Sequence, residues 1–164
     1  MNKAKAKSKK LKVGLYFLLF AFYFLLAACG PQSSEPRPPE IVYGREMCDA
    51  CGMIISEPRF AAATLTTDGK TLKFDDAGEM FSYHTRHPEM NVRVWFVHDY
   101  NSQAWINGQT AFYVMSAEVK SPMGTGVAAF ADQTGAQAFA GRLNAQVLTF
   151  DQVMTARPMT GKKM

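Results

Sequence analysis

Apolar and polar positions alternate in two different ways along the chain. From Val13 to Ala28 the sequence is almost continuously apolar, and Lys3, Lys5, Lys7, Lys9, Lys10 and Lys12 precede it. Beyond position 58 the apolar residues recur at short periods. RFAAATLT (59–66) reads as a strand, Asp68-Gly69 as a hairpin turn and Thr71 to Phe74 as the return strand. Asp75-Asp76 then supply a helix cap. Ala77 to Thr85 follow with Met80, Phe81 and His84 on one face, and His87-Pro88 ends the helix. Asn91 to His98 alternate as a strand.

The second half repeats this order more weakly. Ala111 to Val114 is apolar, 121–126 (SPMGTG) is a loop and Val127 to Phe130 reads as a strand. Asp132 to Asn144 carry a cap and a helix with Ala136, Phe139 and Leu143 on one face, and Gln146 to Phe150 reads as a last strand. FDDAGEMFSY aligns with FADQTGAQAF. The predicted class is α+β: two ββαβ-type halves from an internal duplication, each a small antiparallel sheet with one helix. A pseudo-twofold relation between the halves would bring Met53 and Met123 towards each other.

The front of the chain reads as targeting rather than fold. The apolar run is about 16 residues, short of the roughly 20 that a membrane span needs. A basic start, a short apolar stretch and small residues before a cut mark an export signal. Leu26-Ala27-Ala28-Cys29 has the form of a lipobox. The expected organisation is a signal peptide over 1–28, Cys29 as the lipidated first mature residue, and a proline-rich disordered tether over 29–40. A domain over 41–157 and a disordered tail over 158–164 complete it. The domain would stand outside the cytoplasm, lipid-anchored to a bacterial membrane in the cell envelope.

This organisation changes the meaning of the charge. The whole chain is +4. Its six lysines before position 13 leave with the signal, so 12 basic residues then face 14 acidic ones. No basic cluster remains to follow a phosphate backbone, which argues against nucleic acid as a partner. Nor does the sequence contain a Ser/His/Asp set, a phosphate-binding glycine loop or a separated acid–base pair, so the chain does not read as an enzyme.

The chemistry concentrates in MCDACGM, Met47 to Met53. A structural zinc site would pair Cys48 and Cys51 with His84 and His87, across a long gap. The histidines read better as a helix-face residue and an exposed helix end, and His98 as a structural histidine. A redox dithiol would sit at a helix start, but Gly52, two β-branched residues and Pro58 oppose a helix there. A disulfide between Cys48 and Cys51 is compatible with an exported chain, but it would close a tiny loop. Thiolate and thioether together select Cu(I). Gly52 lets the sulfurs of Cys51 and Met53 converge, and Met123 lies in a Pro-Met-Gly loop, an unusual place for a core methionine. Met80, Met90, Met115 and Met154 read as core or surface.

The lipobox at Cys29, Cys51-Gly52-Met53, the RFAAA strand, Phe74-Asp75-Asp76 and the Pro-Met-Gly loop at Met123 together resemble the NosL family of copper-chaperone lipoproteins. The resemblance implies two homologous ββαβ units and a Cu(I) site on Cys51, Met53 and Met123. Cys48 would be an added thiol that joins the site or forms a resting disulfide. It also implies delivery of copper to nitrous oxide reductase or another copper client protein. The competing expectation is an envelope thiol-disulfide or zinc-stabilised interaction module. There Cys48 and Cys51 would be structural, and Trp95, Trp105 and Tyr100 could serve docking.

Overall fold

The computed structural model describes residues 35–156. The signal segment, Cys29 and the tail beyond 156 lie outside the described residues. Residues 35–40 carry no regular secondary structure. Among the described residues, no helix is long and apolar enough to cross a membrane.

The domain is α+β, with two small antiparallel sheets and three helices. Strands β1 (Ala62–Thr66) and β2 (Thr71–Phe74) form the first hairpin, and helix α1 (Ala77–Arg86) follows. Strand β3 (Val92–His98) returns beside β1, and β4 (Trp105–Asn107) pairs outside it, giving the order β2-β1-β3-β4. The second sheet has the order β6-β5-β7, built from β5 (Phe112–Met115), β6 (Val127–Phe130) and β7 (Val147–Leu148). Helix α2 (Gln133–Arg142) joins β6 to β7, and α3 (Phe150–Thr155) ends the described chain. In both sheets a hairpin is followed by a helix and by a strand that pairs antiparallel with the hairpin's first member.

The structure differs from the sequence expectations at three places. Arg59 and Phe60 form a single 3-10 turn (Pro58–Phe60) rather than the start of β1, because Pro58 sets the backbone at the turn's first position. Strand β4 was not expected, since Trp105 to Asn107 is too short to show a period. The last strand is only Val147–Leu148, because Thr149 and Gln152 form a reciprocal capping box that opens α3.

The main core gathers Phe74, Met80, Phe81, Trp95 and Val97 with Tyr113 and Val127 of the second sheet. A second core joins Val114, Phe130, Ala136 and Phe139 with Phe60 from the first half. Fully burying each large side chain contributes about 1.5–3 kcal/mol. The first core fixes α1 against the sheet, and with it the junction between β2 and α1 that carries the chemistry.

Candidate metal site

The Met47–Met53 motif forms a small hairpin. Met47 and Ile54 make an isolated antiparallel bridge, and the Cys48 amide donates to the Met53 carbonyl at 2.7 Å. The Gly52 amide closes the turn on the Cys48 carbonyl at 2.9 Å. Gly52 has φ of +72° with open space around it, so conformation rather than crowding requires glycine here. Asp49 hooks the hairpin onto the edge of the first sheet. Its amide donates to the Lys73 carbonyl at 2.8 Å, and its carboxylate accepts the Lys73 amide at 2.7 Å.

This hook sets both thiols above the β2–α1 junction. One ligand atom each from Cys48, Cys51, Asp75 and Glu79 lies within 4.8 Å of the others. The Cys51 thiol faces Asp75 Oδ1 and the Cys48 thiol faces Glu79 Oε2, both at 3.8 Å. Cys48 and Asp75 are buried, and Cys51 and Glu79 are half-buried. Both cysteines are free. Burial pushes both thiols above the ordinary range, Cys48 far above it, and the charge of Asp75 adds to the effect. Glu79 is raised as well, first by burial and then by Asp75. The metal-free cluster thus holds its thiols protonated, and a bound cation must displace those protons.

Asp75 and Asp76 have separate roles. Asp76 is the helix cap, accepting from the amides of Gly78 and Glu79. Asp75 belongs to the thiol cluster instead, and its Oδ2 has no hydrogen-bond partner among the described residues. Reading the pair as a cap was therefore correct for Asp76 and wrong for Asp75. Glu79 was missed altogether. The one available signal was the four-residue spacing of Asp75 and Glu79, which puts two carboxylates on the same side of a helix start.

Asp76 also holds the Pro-Met-Gly loop. Its Oδ2 accepts from Ser121 Oγ at 2.6 Å and from the Met123 amide at 3.2 Å, and Thr125 Oγ1 donates to its Oδ1. Gly78 permits this approach, since a Cβ there would sit 2.4 Å from Thr125 Oγ1. Met123 is half-buried. On the hairpin, Met53 is 45% and Met47 64% exposed. The structure therefore groups Cys48 with Cys51, leaves Met53 exposed on the same hairpin, and ties the backbone of Met123 to the residue after Asp75.

The histidines are engaged elsewhere. His84 Nε2 bonds Thr64 Oγ1 at 3.0 Å, and His87 stacks on Tyr83 with ring centroids 4.2 Å apart. His98 lies between the Tyr43 hydroxyl at 2.8 Å and the Gln103 carbonyl at 2.7 Å, with Trp105 stacked 3.8 Å away. Neither His84 nor His87 is part of the thiol cluster, so the Cys2His2 zinc arrangement does not form. Trp95 is buried and Tyr100 packs against the second core, so neither offers a free docking face.

Fold and site together define an α+β domain whose strand–helix junction gathers two thiols and two carboxylates that could hold a metal ion. The NosL family model matches residues 40–157, and the chain belongs to the NosL family. A curated relative, the copper-binding lipoprotein NosL of Stutzerimonas stutzeri, is 27% identical over 142 residues, covering 79% of this chain and 74% of the relative. The crystal structure of the copper chaperone NosL from Shewanella denitrificans superposes with a TM-score of 0.65 at 24% identity. That match covers 71% of this chain and 96% of the other, and at this identity it establishes the fold.

Proposed function

We propose that this chain is a lipid-anchored metallochaperone, tethered through Cys29, that carries Cu(I) in the cell envelope and hands it to a copper enzyme, nitrous oxide reductase being the client the family implies. The observation that carries this reading is the pair of free thiols over the β2–α1 junction, where the neighbouring Asp76 also holds the backbone of the Met123 loop. Cys51 and Cys48 supply thiolates, and Met53 and Met123 supply thioethers. The soft donors favour Cu(I), while Asp75 and Glu79 accept hydrogen bonds from the thiols before metal arrives. The name of the Stutzerimonas stutzeri relative supports copper as the cargo and a lipoprotein as the carrier.

Thioethers are neutral, weak donors, so a docking partner can replace them one at a time. Among the described residues, Val42, Met47, Met53 and Ile54 are the exposed large apolar ones, and they lie on or beside the thiol hairpin. Such a face suits transient contact with a protein that takes the metal. The role is binding and transfer rather than catalysis. The recurrence of the same ββαβ strand order in both sheets supports an origin by internal duplication.

The test is an anaerobic competition titration of the reduced chain, residues 30–164, with Cu(I) and separately with Zn(II). The most tightly held Cu(I) is expected at the thiols, and this equivalent should be lost in a folded Cys51→Ser variant and weakened in Met123→Ala. Preference for zinc, or indifference to Met123→Ala, would return the motif to a structural or redox role.

A further inference from the structure

A second group of soft donors lies away from the thiols. Glu79 belongs to the first turn of α1, whereas His84 belongs to its last. His84 lines a cavity of about 610 Å³ together with Met90, Met154 and Trp95. Thr67, Pro88, Asn91 and Val92 complete the lining, so among the described residues no carboxylate, lysine or arginine lines the cavity. The available donors are therefore one imidazole, two thioethers and the π face of an indole.

His84 is held in a way that suits a ligand. It is only 6% exposed, and its Nε2 lies 3.0 Å from the Thr64 hydroxyl. Its Nδ1 is buried and has no hydrogen-bond partner within the described residues. With its proton on Nε2, donated to the Thr64 hydroxyl, the ring keeps a lone pair on Nδ1, which is the usual arrangement of a metal-binding histidine. Burial, helped by His87, lowers its pKa to about 4, so the ring is neutral in ordinary solution. The Trp95 ring lies 4.8 Å from the imidazole, edge to face. An indole at this range can stabilise a nearby cation.

We propose that this cavity is a second site for a monovalent soft cation, in which His84, Met90 and Met154 bind one Cu(I) with Trp95 beside it. Neutral donors and the lack of an anionic ligand disfavour a divalent ion such as Zn(II). The site is independent of Cys48 and Cys51 and would give the chain a capacity for two cuprous ions.

The experiment uses the lipid-free mature chain carrying Cys48→Ser and Cys51→Ser, titrated anaerobically with Cu(I). Stoichiometry and tryptophan emission are followed together. One Cu(I) per chain is expected, with quenching of the emission. Adding Met90→Leu and Met154→Leu, swaps of nearly equal volume, should lower the affinity at least about tenfold. The corresponding Met53→Leu and Met123→Leu pair should leave it unchanged. Absence of binding in the folded thiol-free chain overturns the proposal, as does binding that follows Met53 and Met123 instead. If the thiol-free chain does not fold, the unaltered chain is loaded with a first and then a second equivalent of Cu(I). The second equivalent should shift the His84 ring and the Met90 and Met154 methyl resonances, and their failure to move overturns the proposal equally.

Discussion

The backbone amide of Met123 donates to the Asp76 carboxylate at 3.2 Å, across 47 positions of sequence. Asp76 thereby does two jobs with one side chain. It caps α1, and it anchors the loop that carries Met123.

Asp76→Asn separates these jobs. Asparagine caps helices as well as aspartate does, but it brings one acceptor oxygen where Asp76 uses two. Ser121, Met123 and Thr125 then compete for it. The variant should lose roughly 1–3 kcal/mol of stability by urea unfolding. Its Cu(I) affinity should fall to that of Met123→Ala. An Asp76→Asn chain that is destabilised yet binds copper normally would show that the loop does not feed the site.

Asp75 and Glu79 set the electrostatics around the thiols. Replacing them by asparagine and glutamine removes two carboxylate groups that can carry negative charge and leaves the sulfurs. Zn(II) affinity should drop about tenfold more than Cu(I) affinity, because a divalent ion depends more on carboxylate charge. Equal losses for both ions in the competition titration would mean that the carboxylates act only on folding.

The local parts of this site were legible in the sequence, and the assembled site was not. Asp68-Gly69, the two helix faces and the paired cysteines each declare themselves within a few residues. The bond from Met123 to Asp76 does not, because no periodicity links positions so far apart. Asp75 was hidden for another reason: beside a true cap, a second aspartate looks like part of it. The hook from Asp49 to Lys73, with the Lys73–Glu46 ion pair beside it, brings the thiols over Asp75. The T-x-x-Q box at Thr149 is legible in the sequence, but the apolar residues before it favour a longer strand.

Gly52→Ala should cost roughly 1–2 kcal/mol, since the left-handed backbone is unfavourable for alanine. Gly52→Asn should cost less. Because nothing crowds the position, the loss should appear as faster amide exchange at Cys48 and Gly52 rather than as a rearranged core. Full tolerance of alanine would mean that the turn flips easily between conformations.

Acid should weaken the metal-free fold. The folded-state pKa of His84 is lowered to about 4 from 6.5, and burial lowers His98 in the same direction. The unfolded chain therefore takes up protons first as pH falls, and stability is lost between about pH 6.5 and pH 4. By pH 5 the His84 contribution alone should be about 2 kcal/mol. Urea midpoints measured from pH 7.5 down to 5 should fall accordingly, and a flat profile would contradict the burial of these rings as neutral groups.

The two cores exchange residues. Phe60 leaves the first half to pack in the second core, while Tyr113 and Val127 cross the other way. Asp99, just beyond β3, bridges Ala129 and accepts the Ala131 amide at 2.9 Å. Neither half has a complete interior without the other, so heat should be absorbed in one transition rather than two. This has a consequence in time. A chain still being synthesised carries its thiol hairpin long before residue 123 arrives. The loop that rests on Asp76 is seated only once the later strands are in place, so a clipped or half-made molecule presents its cysteines without the loop that carries Met123.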